Sequence, residues 1–146
     1  MKPVTNTVIS SVAATSAMTL FSYAVSDQEQ ENFREPDLLA TFLGRTCRIG
    51  KEASLPIGWA SHYLIGAGFA VAYKLFLKNK NLTPAAKNGL LFGGAAGLVG
   101  ILSWETLFQT HHAPPKTKKK GFYAQLMVAH LIFGATLSVF KNKQKL

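Results

Sequence analysis

Cysteine is nearly absent from this sequence of 146 residues, in which Cys47 stands alone. A single cysteine excludes a disulfide within the chain and a metal site built from several cysteines. Acidic residues are also few, seven against 16 lysines and arginines, which gives a formal net charge of +9. The chain has no phosphate-binding loop, no nucleophile elbow and no paired carboxylates within an apolar segment. These absences argue against an enzyme and leave no catalytic residues to nominate.

Long apolar segments are what the chain has instead. They cover residues 4–25, 57–77, 86–109 and 121–140, which is more than half of the chain. At about 1.5 Å rise per residue, about twenty apolar residues in a helix cross a hydrocarbon layer of about 30 Å. The sequence therefore predicts an all-α fold in which a single polytopic membrane domain forms a bundle of four transmembrane helices. Its main partner is then the lipid bilayer.

The basic residues lie at the ends of these segments, where anchoring to phospholipid explains them without a nucleic-acid partner. In a four-span topology, the number of basic residues is the same on the two sides of the membrane. The tail residues Lys141, Lys143 and Lys145 are counted on the side of the termini. The first loop dilutes its arginines among acids, which favours termini in the cytoplasm. Residues Ala24 to Ser26 before Asp27 also resemble the cleavage site of a secretory leader, so removal of residues 1–26 is an alternative to a retained first span.

The first loop, residues 27–56, is the longest polar segment and begins acidic. Pro36 suits the first turn of a short helix that runs to about Arg48. The apolar residues of this helix fall along one side, which predicts an amphipathic helix at the membrane surface: Leu38, Leu39, Phe42 and Leu43. The alternative is a lid over a cavity between the spans.

Glycine repeats every four residues along the third span. The resulting face has almost no side chains and allows another helix to approach closely. We call this face the glycine seam, made of Gly89, Gly93, Gly97 and Gly100. Gly66 in the second span and Gly134 in the fourth are further helix-packing positions.

Ionisable side chains within the spans are the candidate functional residues. His62 shares a helical face with Gly66 and Tyr73, and His130 shares one with Gly134, Leu137 and Tyr123, whereas Gln125 points elsewhere. Glu105 lies beside the glycine seam. The pH-sensing or pore-lining candidates are therefore His62, Glu105, His130 and Tyr73.

Together with His111 and His112, these histidines lie toward one membrane side and are expected to line a hydrated pocket that is open to the first and third loops. Imidazole has a reference pKa of about 6.5, so mild acid would charge it, with Glu105 as a partner for the cation. A static pair of histidine and glutamate joining two helices fits equally. His62, Glu105 and His130 are only weak metal-ligand candidates because no tight ligand spacing is present, and no cofactor is expected.

From the second span onward the residues also resemble a known family. The shared pattern runs over about residues 56–140 and comprises Trp59, His62, Gly66, Phe69-Ala70-Val71, Tyr73, Gly89-Leu90-Leu91, Gly93, Pro114-Pro115, His130 and Phe133-Gly134. It is similar to the YagU-like small inner-membrane proteins of bacteria. The resemblance implies a multi-pass protein of the bacterial inner membrane that is associated with acid tolerance. His62 falls at a matching histidine, whereas Glu105 has no evident counterpart.

The expected function is thus a non-enzymatic membrane role, in transport or in acid and stress adaptation, with pH-sensitive intramembrane histidines. The first alternative is a structural or assembly subunit that binds another membrane protein, or a further copy of itself, through the glycine seam. The second is a membrane-embedded site for a metal, a haem or a lipid-modifying reaction.

Overall fold

The computed structural model describes residues 3–140, which form five α-helices and no strand. The helices are α1 (Pro3–Glu29), α2 (Glu35–Cys47), α3 (Lys51–Asn79), α4 (Ala86–Thr110) and α5 (Lys119–Val139). All except α2 are long and apolar enough to cross a membrane. The predicted all-α fold, with four long helices and one short helix in the first loop, is confirmed. The lysines predicted to anchor the tail, Lys141, Lys143 and Lys145, lie outside the described residues.

The helix boundaries follow from local residue chemistry. Pro36 lies in the first turn of α2, where its missing N–H group is not needed. The helix ends at Arg48, which adopts the left-handed conformation (φ 54°, ψ 41°) and donates its backbone N–H to the carbonyl of Gly44. Helix α3 begins at Lys51, before the predicted start at residue 57, and it contains Pro56 near its N-terminus.

The four long helices form an incomplete ring. Helix α5 packs against both α4 and α1, and α1 packs in turn against α3, whereas α3 and α4 touch at only a few positions. The ring therefore has a gap between α3 and α4. Large apolar side chains cover the outer faces of both helices, as contact with lipid would require: Leu64, Ile65, Val71, Leu75, Leu90, Leu91, Leu98, Val99 and Leu102.

The glycine seam forms the contact between α4 and α5. A methyl group on Gly93 would overlap the carbonyl oxygen of His130, and one on Gly134 would overlap that of Gly89. Backbone thus lies against backbone here, as in other membrane helices joined at small residues. Because α5 of the same chain fills the seam, a partner protein would have to use another surface.

Helix α1 turns its hydroxyl-bearing face inward. The residues of this face are buried: Ser11, Thr15, Met18, Thr19 and Ser22. Several of the hydroxyl groups donate to carbonyls of their own helix, as from Ser11 to Val8 (2.9 Å) and from Thr19 to Thr15 (2.6 Å). This local bonding satisfies polar groups that would otherwise be costly to bury.

Two apolar clusters fill the interior at different depths. The connection-side cluster lies toward the link between α3 and α4 and contains Ala14, Met18, Ala70, Tyr73, Leu77, Ala129, Phe133 and Leu137. The α2-side cluster lies at the other end and contains Phe33, Leu38, Phe42, Phe108, Phe122 and Leu126. The two clusters leave space between them.

Helix α2 lies deeper in the bundle than the predicted surface helix. After α1 the chain turns back along it, with the backbone N–H of Phe33 donating to Ser26 Oγ (2.9 Å), so that α2 begins beside Ser22. Its apolar side chains pack against aromatic residues of α4 and α5, so its apolar face is turned toward the bundle. Its first turn also borders an interior cavity, which is the position that the alternative, a lid, requires.

Candidate functional site

A cavity of about 280 Å³ lies between the two clusters, directly below the start of α2. All five helices contribute to its walls, which are mostly apolar and include the aromatic rings of Phe69, Trp104 and Phe133. It lies at the level where α3 and α4 hardly touch, and the exposed residues Ile65 and Ser103 line it from these two helices. We infer that its mouth faces sideways, between α3 and α4.

His62 lines this cavity from α3 and is 8% exposed. Its Nε2 lies 2.9 Å from Thr19 Oγ1. The hydroxyl hydrogen of Thr19 is already donated to the carbonyl of Thr15, so Thr19 must accept from His62. The neutral ring therefore carries its hydrogen on Nε2 and keeps a lone pair on Nδ1.

His130 lines the same cavity from α5 and is 7% exposed. Its Nδ1 lies 2.9 Å from the carbonyl oxygen of Leu126, which can only accept a hydrogen bond. The neutral ring therefore carries its hydrogen on Nδ1 and has a lone pair on Nε2. No side chain or backbone group of residues 3–140 donates to that lone pair at hydrogen-bond distance. The edge of the ring packs on Gly100, the last glycine of the seam.

Glu35 is the third ionisable residue of the cavity wall and comes from the first turn of α2. The side chain is almost fully buried (2% exposed). Its Oε1 accepts from Ser22 Oγ (2.7 Å) and from Gln125 Nε2 (3.2 Å). Its buried Oε2 has no hydrogen-bond partner among residues 3–140.

Burial changes the acidity of this carboxyl. Removal from water raises the pKa of Glu35 to about 7, although the hydrogen bonds from Ser22 and Gln125 act in the opposite direction. The charged form is disfavoured because no cation among residues 3–140 faces it. The nearby Arg34 forms ion pairs with Asp27 and Asp37 instead.

The sequence predictions missed Glu35, although a signal was present. The residues three, four and seven positions after Glu35 are apolar: Leu38, Leu39 and Phe42. This spacing places the carboxylate on the apolar side of α2. A charged residue within such a stripe indicates a buried acid. Gln125 was also predicted to point elsewhere, yet it is buried and bonds to Glu35, because α5 is in contact on several sides.

Glu105 does not join the histidines. Its carboxylate accepts hydrogen bonds from Tyr123 Oη and from Gln109 Nε2 (2.6 Å), and it lies 3.5 Å from Lys119 Nζ. Glu105 is one residue beyond Trp104, which lines the cavity, and a step of about 100° around the helix turns it away. The predicted pairing of Glu105 with a histidine is therefore replaced by a polar cluster at the ends of α4 and α5.

Tyr73 also lies apart from the cavity. It belongs to the connection-side cluster, with its ring centroid 5.2 Å from that of Phe92. Its buried hydroxyl has no hydrogen-bond partner within residues 3–140. The α3 face predicted from His62, Gly66 and Tyr73 is buried as expected, but these residues occupy different depths.

The remaining histidines and the weak metal-ligand candidates form no metal site in residues 3–140. His111 stacks on His112 with ring centroids 4.7 Å apart, outside the cavity. No group of three or more histidine, cysteine, aspartate or glutamate side chains in that range is arranged to hold a metal ion. The chemistry that the cavity does offer is proton binding and hydrogen-bond acceptance, by Glu35, His62 and His130.

The chain was compared with protein-family models, with curated proteins and with solved structures, and none of the three comparisons finds a match. The resemblance to the YagU-like family therefore stays a prediction that rests on the residues quoted for it.

Proposed function

We propose that this chain is a small multi-pass membrane protein of non-enzymatic role whose conformation responds to protonation of the cavity site. The observation that carries the proposal is the meeting of Glu35, His62 and His130, from three different helices, in one interior cavity. Among the described residues, these are all the ionisable side chains that line it; α1 and α4 contribute none. Ionisable groups in such a setting are functional candidates by default.

In this proposal the element that moves is α2, although it packs closely on α3, where Pro36 and Ala40 touch Gly58. Only one oxygen of Glu35 is hydrogen-bonded, and the groups that face it, Ser22 of α1 and Gln125 of α5, carry no charge. Arg34 and Asp37 beside it pair with each other, and Tyr23 of α1 donates to Asp37. A protonated Glu35 therefore keeps α2 docked, whereas its carboxylate favours release toward water. In this proposal acid closes the lid.

The location and biological role follow the same reasoning. Four apolar helices and an apolar outer face suit a multi-pass membrane protein. The resemblance to the YagU-like family supports the bacterial inner membrane, and the acids of the first loop support termini in the cytoplasm. A lid that closes in acid suits acid or stress adaptation, or transport controlled by pH. Beyond the cavity, the connection-side cluster encloses a pocket of only about 30 Å³, bordered by Tyr73, Leu77 and Leu137, so gating is favoured over proton conduction.

Cys47 offers a direct test of lid movement. It is exposed, it ends α2, and it is the single cysteine of the sequence. A spin label on Cys47 in lipid nanodiscs should become more mobile as the pH rises from 5 to 8, with a midpoint near the pKa of Glu35, about 7. Glu35→Gln, which resembles the protonated form, should hold the label immobile throughout, whereas Glu105→Gln should behave like the parent.

Two results would contradict the gating proposal: a label whose mobility is constant from pH 5 to 8, or the same transition in Glu35→Gln. The transport form of the proposal has its own test, which is proton flux into liposomes over the same range. Flux that increases as the pH falls and is lost in the His62→Ala/His130→Ala double variant would support proton transport. Flux no higher than in empty liposomes would reject proton transport. The gating proposal would then be decided by the spin-label experiment alone.

A further inference from the structure

The polar groups of the cavity wall include hydrogen-bond acceptors that have no donor among the described residues. The neutral His130 ring presents a lone pair on Nε2, and Glu35 has an unpartnered Oε2. Thr15 lines the same wall, is fully buried, and its Oγ1 also has no partner in the part of the chain that the structure describes. Buried polar groups in proteins are normally satisfied. An occupant that brings N–H donors would satisfy these.

The remainder of the wall restricts the charge of that occupant. Phe69, Trp104 and Phe133 present aromatic surface near a single carboxyl group, and no lysine or arginine lines the cavity in the described residues. Aromatic faces and a carboxylate attract cations, and they do so more strongly when water is excluded. An anion would meet the charge of Glu35 and, among the described residues of the wall, little more than the Thr15 hydroxyl to donate to it. A cation is therefore the favoured occupant.

The size and the mouth of the cavity restrict the occupant further. A volume of about 280 Å³ is near the lower end of ligand pockets, which span about 300–1,000 Å³. The mouth between α3 and α4 is bordered by exposed apolar side chains such as Ile65 and Leu107. A compact molecule with an apolar body would reach the cavity from the hydrocarbon layer.

We propose that the cavity binds a compact lipophilic primary amine in its protonated form, which enters between α3 and α4 and donates its N–H groups to Glu35. The aromatic rings hold the apolar body, and His130 Nε2 accepts a further hydrogen bond. This inference rests on the proposed function, since it names the class of molecule that the proton-sensitive site would recognise. The ammonium and the proton then compete for Glu35.

Octylamine is a suitable probe, with 1-octanol and octanoate as matched controls of equal chain length. An alkyl ammonium resembles the lysine side chain, with a reference pKa of about 10.4, so octylamine is charged at pH 8. The protein would be used in phosphatidylcholine nanodiscs with Trp59→Phe, so that the fluorescence reports Trp104 in the cavity wall. We expect saturable binding of octylamine at pH 8, at least tenfold tighter than that of either control, and at least tenfold weaker at pH 5.

Three variants assign the binding to this cavity. Glu35→Gln should weaken octylamine binding at least tenfold without changing that of octanol, and the matched Glu105→Gln should bind like the parent. Ser103→Phe, at an exposed position of the mouth, should block entry even if Glu35→Gln does not fold. Thr106→Phe, one turn away and outside the cavity wall, is its control.

Equal affinity for octylamine and octanol in the parent would overturn the proposal, as would unchanged octylamine binding in both Glu35→Gln and Ser103→Phe. The lid itself is tested separately by the spin label on Cys47 without any amine. If the spin label responds to pH but octylamine does not bind, the proposal of an amine ligand is rejected and the proposed function stands. A lid that does not respond to pH would reject the proposed function.

Discussion

Helix α4 contacts its two neighbours in opposite ways. Toward α5 it presents the glycine seam, and the two backbones touch. Toward α3 it makes few contacts, and the cavity occupies the space between them. Close packing leaves no volume for a ligand or for movement, whereas the open side has both. One helix thus serves as a rigid support on one face and as a cavity wall on the other.

Filling the seam should have the largest effect. Gly93→Leu would drive a branched side chain into the carbonyl of His130 and separate α4 from α5. We expect a loss of about 3 kcal/mol or more, at the upper end of overpacking effects, measured as the free energy of unfolding in detergent. Gly94→Leu is the matched control, because the nearest atom to an added methyl there is 3.8 Å away. Equal stability of the two variants would contradict the seam.

The open side should make stability depend on pH through Glu35. Its pKa is raised from 4.5 to about 7 in the folded protein, so the folded state binds the proton more tightly than the unfolded state. The stabilisation is complete below pH 4.5 and is lost as the pH rises toward 7, by up to about 3 kcal/mol. Denaturant unfolding between pH 4 and 8 measures this. Glu35→Gln should remove the loss, and an unchanged slope in that variant would refute the assignment.

Gly100 lies between the packed α4–α5 contact and the cavity, so its substitution should have an intermediate effect on stability. An added methyl there meets the imidazole of His130 at 3.0 Å, and not its backbone. The ring borders free volume and can shift, so we expect Gly100→Ala to cost only about 1 kcal/mol, measured in the same unfolding experiment. A cost as large as that of Gly93→Ala would show that the border is as rigid as the seam.

The smallest effect is expected outside both regions. Glu105→Gln changes a partly exposed carboxylate in the polar cluster with Tyr123 and Lys119. Exposed ion pairs contribute little to stability, so the unfolding free energy and its dependence on pH should match the parent. A flattened pH profile in Glu105→Gln would transfer the pH response from the cavity to this cluster.

Local pattern was sufficient to predict the fold and part of the site. The lengths of the apolar segments predicted the four long helices, and the four-residue period of glycine predicted which face of α4 packs tightly. Helical spacing also predicted inward faces for His62 and His130. These features depend on residues within one helix, where the period of 3.6 fixes relative direction.

The position of Glu35 depends on distant parts of the chain. Its burial requires residues 30–34 to run back along α1, and its partners Ser22 and Gln125 come from α1 and α5. No spacing within one segment encodes such a meeting. Glu105 illustrates the opposite case: its place in an apolar segment drew attention to it, but neighbours on α5 and at the end of α4 turn it toward water.

The hydroxyl groups of α1 bear on the order in which the protein is assembled. Synthesis produces α1 before α3 and α5, so the face that these helices later cover must wait in the bilayer without its partners. Ser11 and Thr19 already donate to carbonyls of their own helix, and this bonding needs no other segment. Helix α1 is therefore equipped to persist alone in lipid during biosynthesis, and the arrival of α3 and α5 exchanges lipid for protein without first breaking these hydrogen bonds.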